Sequence, residues 1–249
     1  MNRPLVIAHR GYSSRYVENT QSAYQGAIDI GADIVESDAR LTRDGRVYAC
    51  HDADLARIAA NGDARALADL DAAALDAVVL LRNERLSPLP LTLARISPRR
   101  PVLIDVKTPD QPLIEAVVRD VMAADAVDRV WVGVRDVAQL RRALMLAPRL
   151  KMLAFLPDYA RADEFEQAGA QAFRVWEGEA AQPAAARVLR DKPTWITMGG
   201  KGTPCEVGDT TPSRLARILD LLPRGVLVND PALLLAPGGA SPSSTSHSS

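Results

Sequence analysis

The chain has 249 residues, 47% of them hydrophobic, a formal net charge of −1 and a pI near 6.3. That balance excludes bulk nucleic-acid binding, which leaves a basic footprint, and no apolar run approaches the ~18 residues of a membrane span. Cys50 and Cys205, far apart in sequence, read as free thiols of a reducing compartment. Leu5 to Ala8 is too short for a signal-peptide core, so the expected location is cytoplasmic.

In chain order, Leu5–Ala8 is a buried strand that opens into His9-Arg10-Gly11. Thr20 caps a helix to Ile30, and Gly31 ends it. Asp33 to Asp38 is a second strand, and Asp44-Gly45 is a hairpin signal whose return run delivers His51. Alternation along that return puts Val47, Ala49 and His51 on one face, with Tyr48 and Cys50 on the other. Residues 53 to 98 read as an excursion: one helix at about 67–79, then a Pro-studded connection containing Leu89-Pro-Leu-Thr-Leu93.

Strands at 102–106, 129–134, 151–156, 172–176, 193–198 and 225–228 then alternate with helices at 112–124, 137–146, 161–168, 183–190 and 211–222. With the hairpin return set aside, the strands suit a closed parallel barrel, and the fold class is α/β, a TIM (β/α)8 barrel with a small insertion after the second strand. Residues 1–236 form one domain, and the Gly, Pro and Ser tail at 237–249 is expected to be disordered.

Barrel enzymes carry their reactive groups at strand C-termini, and His9, Glu36, Asp38, Asp105 and Lys107 all follow apolar runs. An isolated Glu-x-Asp pair is often a solvent-facing feature. On a parallel strand covered on both faces, however, unpaired acids are costly. Glu36 and Asp38 share a strand face, and with Asp105 they offer three oxygens to one divalent cation, Mg²⁺ or Ca²⁺. His9 and His51 bracket the acids as a proton-transfer pair, the only histidines besides His247 in the tail. Arg10 and Lys107 supply positive charge for a phosphate, and Glu18 and Asn19 support the His-Arg-Gly loop. Trp195 and Trp176 are candidates to wall a substrate pocket. Gly199-Gly200-Lys201-Gly202 lacks the spacing of a P-loop and reads as a flexible loop over the site.

Together, His9-Arg10-Gly11, Glu18-Asn19-Thr20, Gly31-Ala32-Asp33-x-x-Glu36-x-Asp38, Thr42-x-Asp44-Gly45 and His51-Asp52 with Leu55 and Arg57 resemble the glycerophosphodiester phosphodiesterase family over residues 5 to 107. The resemblance implies a barrel, a cation on Glu36, Asp38 and Asp105, His9 and His51 as the acid–base pair, and Arg10 and Lys107 on the phosphate of a small diester. His9 is assigned as base and His51 as acid. If a glycerol hydroxyl attacks, a cyclic phosphate is an intermediate.

Four departures stand out. Val17 replaces a proline, Asp105 replaces a longer glutamate, Val134-Arg135 replaces a Ser-Phe pair, and Trp195-Ile-Thr-Met replaces Trp-Thr-Val-Asn. The alternatives are a sphingomyelinase-type phospholipase D that releases a cyclic phosphate, and a non-catalytic barrel that binds a phosphorylated metabolite.

Overall fold

A computed structural model describes residues 3–235 of the chain. The expected disordered tail and His247 lie outside those residues. Eight parallel strands close on themselves: β1 (Leu5–Ala8), β2 (Ile34–Leu41), β4 (Val102–Val106), β5 (Val130–Val134), β6 (Lys151–Phe155), β7 (Ala172–Trp176), β8 (Thr194–Thr197) and β9 (Gly225–Val228). β1 pairs with β9 on one side and β2 on the other, which completes the ring. The short β3 (Val47–Tyr48) is antiparallel to the end of β2. The barrel expected from the repeating strand–helix rhythm is therefore present, with the hairpin and insertion after its second strand.

Period-two alternation sorts each strand. Ile7, Ile34, Leu103, Leu153 and Leu227 fill the interior, while Val6, Val35, Ile104 and Val226 pack outward under the helices. The helices are α1 (Gln21–Asp29), α4 (Gln111–Ala123), α5 (Val137–Leu146), α6 (Ala162–Gln167), α7 (Pro183–Asp191), α8 (Pro212–Leu219) and α9 (Ala232–Leu235). Thr20 caps α1 by accepting from the Ala23 amide, as its sequence position suggests. None of the described helices is long and apolar enough to cross a membrane.

The excursion differs from its sequence reading in two places. The expected helix at 67–79 is broken into a 3-10 turn at Leu67–Asp69 and α2 (Ala72–Asp76), because Asp71 leaves the helix and caps α2 by accepting from the Ala74 amide. Leu89–Ile96, read as an irregular connection, is helix α3 with Pro90 in its first turn, where a missing N–H costs nothing. Leu89, Leu93 and Ile96, at helical spacing, then join the main core. Residues Leu55, Ile58, Leu67, Leu75 and Leu80 form a second core with Tyr48 and Cys50 on the far side of the hairpin return, while Val47 and Ala49 face the first.

Both cysteines are free. Burial pushes the Cys50 thiol up to about 12, and thiol reactivity follows the thiolate. A colorimetric thiol assay on the native protein should titrate Cys205 alone, with Cys50 appearing only in denaturant. Rapid native labelling of both would refute this packing of the second core.

Candidate active site

Alternation turns Glu36 and Asp38 to the inner face of β2, and parallel pairing sets Asp38 level with Asp105 on β4. Oxygens of Glu36, Asp38 and Asp105 lie within 4.8 Å of one another, and all three residues are buried. Around them the chain places counter-charges. Lys107 Nζ is 2.6 Å from Asp38 Oδ1 and 2.7 Å from Asp105 Oδ2. Arg10 Nε is 3.4 Å from Asp38 Oδ2, its backbone N–H donates to Glu36 Oε2 at 2.6 Å, and Nη1 donates to Glu18.

Two residues with positive φ make this possible. Arg10 (φ 56°) and Asn19 (φ 59°) sit in the left-handed region, which costs about 1–3 kcal/mol each. The turn aims the Arg10 amide at Glu36. Asn19 clasps Asp38 from both ends, with Nδ2 donating to Oδ2 at 2.7 Å and Oδ1 accepting from the Asp38 amide at 3.1 Å.

The acids are unequal. Burial and the adjacent Asp38 carboxylate push Glu36 well above the usual carboxylate range. Burial opposes ionisation of Asp38 too, but Lys107 and Arg10 outweigh it and hold that group well below. Asp105 is likewise held low against burial by Lys107 and Arg135. Arg135 is a finding of the structure: Nη1 donates to Asp105 Oδ1 at 2.5 Å and Nη2 to Oδ2 at 2.9 Å. Asp38 Oδ1 is enclosed, with the Lys107 ammonium 2.6 Å away as its counter-charge. Three convergent buried carboxylates, one of them disfavoured as an anion by burial and by Asp38, offer oxygens to a further cation. The donor set fits a hard divalent cation, with Asp105 the member most taken up by protein cations.

The histidines flank this cluster in different surroundings. His9 follows β1, and its Nδ1 is 2.8 Å from Asn229 Oδ1. The Asn229 amide donates to the Val207 carbonyl at 2.9 Å and Asp209 Oδ1 at 2.7 Å, so its oxygen must accept. His9 therefore carries its proton on Nδ1 and presents an unprotonated Nε2. Burial and Arg10 push the ring down to about 3. His51 has a carboxylate on its ring instead: Nδ1 lies 2.7 Å from Asp52 Oδ1. Burial and Lys107 lower its pKa, and the Asp52 contact opposes them. Arg40 holds the His51 carbonyl at 2.7 Å, and Arg57 bridges Asp52 to Glu18. Asp52, Arg57 and Glu18 thus tie the His51 loop to Arg10.

Gly208 keeps the His9 ring in place by having no side chain. At φ 87°, a Cβ there would fall 2.1 Å from Asn229 Oδ1 and 2.6 Å from His9 Nδ1. Gly208→Ala should lower kcat at least about tenfold while leaving the fold intact, because a misplacement of about 1 Å in a reacting group is that expensive. Steady-state kinetics beside a circular-dichroism melt would check it, and unchanged kcat would mean that His9 needs no fixed pose.

Trp195 is not part of this site. It is level with Leu5 at the start of β1, 2% exposed, with its ring 4.9 Å from Trp131. It plugs the N-terminal end of the barrel, because it lies near the start of β8 rather than at its end. Trp176 does lie at a strand end, beneath Gly200. The Gly199–Gly202 stretch is tied down rather than loose: the Gly199 amide donates to Glu177, and Lys201 pairs with Glu179. Sequence reading noted Arg135 only as a departure from the family pattern and gave no role to Asn229 or Asp209. Asn229 and Arg135 carried one usable signal, a polar residue directly after a barrel strand.

A family model described as the glycerophosphoryl diester phosphodiesterase family matches residues 9–145. A glycerophosphodiester phosphodiesterase of Bacillus altitudinis is 46% identical over 52 residues, 21% of this chain and 21% of that protein. One from Caldanaerobacter subterraneus is 48% identical over 50 residues, 20% and 21% of the two chains. These matches thus span about a fifth of the curated relatives' length. The crystal structure of glycerophosphodiester phosphodiesterase from Agrobacterium tumefaciens superposes with a TM-score of 0.76 at 19% identity, over 94% of this chain and 100% of that one. A phosphodiesterase of Oleispira antarctica, solved with its product sn-glycerol-3-phosphate, gives 0.75 at 18%, over 92% and 94%.

Proposed function

The chain belongs to the glycerophosphoryl diester phosphodiesterase family, and from that premise we propose that it hydrolyses glycerophosphodiesters to glycerol 3-phosphate and an alcohol, using two histidines and one divalent cation, Mg²⁺ or Ca²⁺. One observation carries the reading. Three buried carboxylates within 4.8 Å of one another stand beside two imidazoles in opposite surroundings, one ring on a neutral amide and the other on a carboxylate.

Glu36, Asp38 and Asp105 are the residues that would hold the cation, which when bound neutralises charge developing on a phosphoryl oxygen. The remaining work falls to side chains. Arg10 and Lys107, oriented by Glu18, Asp38 and Asp105, bind the diester phosphate and share its charge. His9 Nε2 takes the proton from the attacking hydroxyl or water, and Asn229 holds that tautomer. His51, whose imidazolium form Asp38 and Asp52 support against burial and Lys107, gives a proton to the departing alcohol oxygen. The substrate is a small molecule rather than nucleic acid, and the free thiols suit a cytoplasmic setting.

The test is a panel of glycerophosphodiesters with Mg²⁺ and Ca²⁺, read by ³¹P NMR. Glycerol 3-phosphate should accumulate, and a chelator should abolish turnover. A cyclic phosphate as the stable product would overturn the hydrolytic reading. Within this site Glu36→Ala should eliminate activity, while Asp105→Ala should only weaken it, since Arg135 and Lys107 already occupy both Asp105 oxygens. Equal losses would refute that ranking.

A further inference from the structure

We propose that Arg135 and Arg174 form a second anion subsite beside the carboxylate cluster, which takes a carboxylate or phosphate carried by the substrate in addition to its diester phosphate. The proposal rests on the phosphodiesterase reading and narrows it to glycerophosphodiesters whose alcohol portion is itself anionic.

Arg174 sits at the middle of β7 and is 6% exposed. Its Nε and Nη1 are enclosed with no acceptor. Its guanidinium carbon lies 3.8 Å from the Trp176 ring centre and 5.1 Å from that of Phe155. Arg135 approaches the same Phe155 ring at 4.7 Å. Gly133 leaves the room that ring occupies, since a Cβ there would stand 2.0 Å from Phe155 Cε2. Two like charges therefore share one aromatic platform.

Among the described residues no carboxylate pairs with Arg174. The carboxylates around it are committed elsewhere. Asp105 is held by Arg135 and Lys107. Glu179 accepts from Tyr159 at 2.6 Å and pairs with Lys201 at 2.8 Å. Burial and the neighbouring Arg135 accordingly bring the Arg174 guanidinium down to about 10.

A buried donor without a partner is destabilising, and Arg174 has two. Planar guanidinium forks match carboxylate and phosphate oxygens, and the stack on Trp176 fixes the plane of one of them. Arg135 places the subsite, because the same guanidinium grips Asp105 in the carboxylate cluster. A second anion on the substrate would thus lie next to the scissile phosphate. A cationic alcohol would meet the uncompensated Arg174 charge there.

The experiment compares glycerophosphoglycerol with glycerophosphoglycerate, which differ only in a hydroxymethyl against a carboxylate. The wild-type kcat/KM should favour the glycerate ester by about tenfold or more, the worth of one charge-assisted contact. Arg135→Gln and Arg174→Gln should each erase that ratio. Arg174→Lys, which keeps the charge, serves if the glutamine variant does not fold.

A second arm needs no turnover: calorimetry with Mg²⁺ present compares 3-phosphoglycerate with sn-glycerol 3-phosphate, and the same preference should appear and be lost in the same variants. Absence of a preference in both arms, or one that survives the substitutions, overturns the subsite. Equal loss for both esters overturns it as well, by placing the arginines on the diester phosphate. Selective binding without cleavage of any diester would instead sink the phosphodiesterase reading and leave the subsite standing.

Discussion

Alanine at His9 should lower kcat by about 10²–10⁴-fold, the usual worth of general acid–base catalysis, with little change in stability of the barrel. The effect is expected on the pH–rate profile as well. Burial and Arg10 push His9 down to about 3, so as the proposed base it is unprotonated throughout the neutral range and the acid limb is expected far below it. On the proposed mechanism the alkaline limb belongs to His51, because an acid loses activity as pH rises through its pKa. Burial and Lys107 lower that pKa, while Asp52 works against them. Asp52→Asn removes the opposing carboxylate, so the alkaline limb should move to lower pH with the acid limb unmoved. A stationary alkaline limb would take His51 out of the acid role, and near wild-type turnover by His9→Ala would remove the base.

The second large effect is expected at Asp38. This carboxylate is fully buried between Lys107, Arg10 and Asn19. Asp38→Ala leaves two buried cations short of an anion, and breaking a buried pair from one side costs about 3–5 kcal/mol. Urea unfolding in the presence of a chelator isolates that loss from any cation effect. Calorimetry should show cation affinity lost in the same variant, whereas Asp105→Ala should retain measurable binding. A stable Asp38→Ala protein that still binds the cation would contradict the central place given to this residue.

Asp105 differs from Asp38 in having a guanidinium in direct contact: Arg135 grips both of its oxygens, so the acid and the guanidinium act as one local unit.

Much of this protein was legible from residues alone, and for a physical reason. Strand alternation has a period of two and helices a period near 3.6, so the barrel rhythm and the inward pointing of Glu36 and Asp38 follow from local spacing. The same holds for His9, since the residue after a buried parallel strand can only emerge at the barrel's C-terminal rim. Local spacing failed where neighbours in space outvoted it. Asp71 took the capping position and shortened α2, and Pro90 was admitted because it fell in the first turn of α3. Trp195 was misplaced because distance along a strand, not strand membership, separates the barrel's floor from its rim.

What only the tertiary structure decided is who partners whom. The tautomer of His9 depends on Asn229, which is 220 residues away. The occupation of Asp105 depends on Arg135 from the next strand, and the isolation of Arg174 depends on Glu179 and Asp105 being taken by others. Charge and hydrogen-bond capacity are properties of the residues, but their balance is set by distances between strands that no single stretch of chain contains.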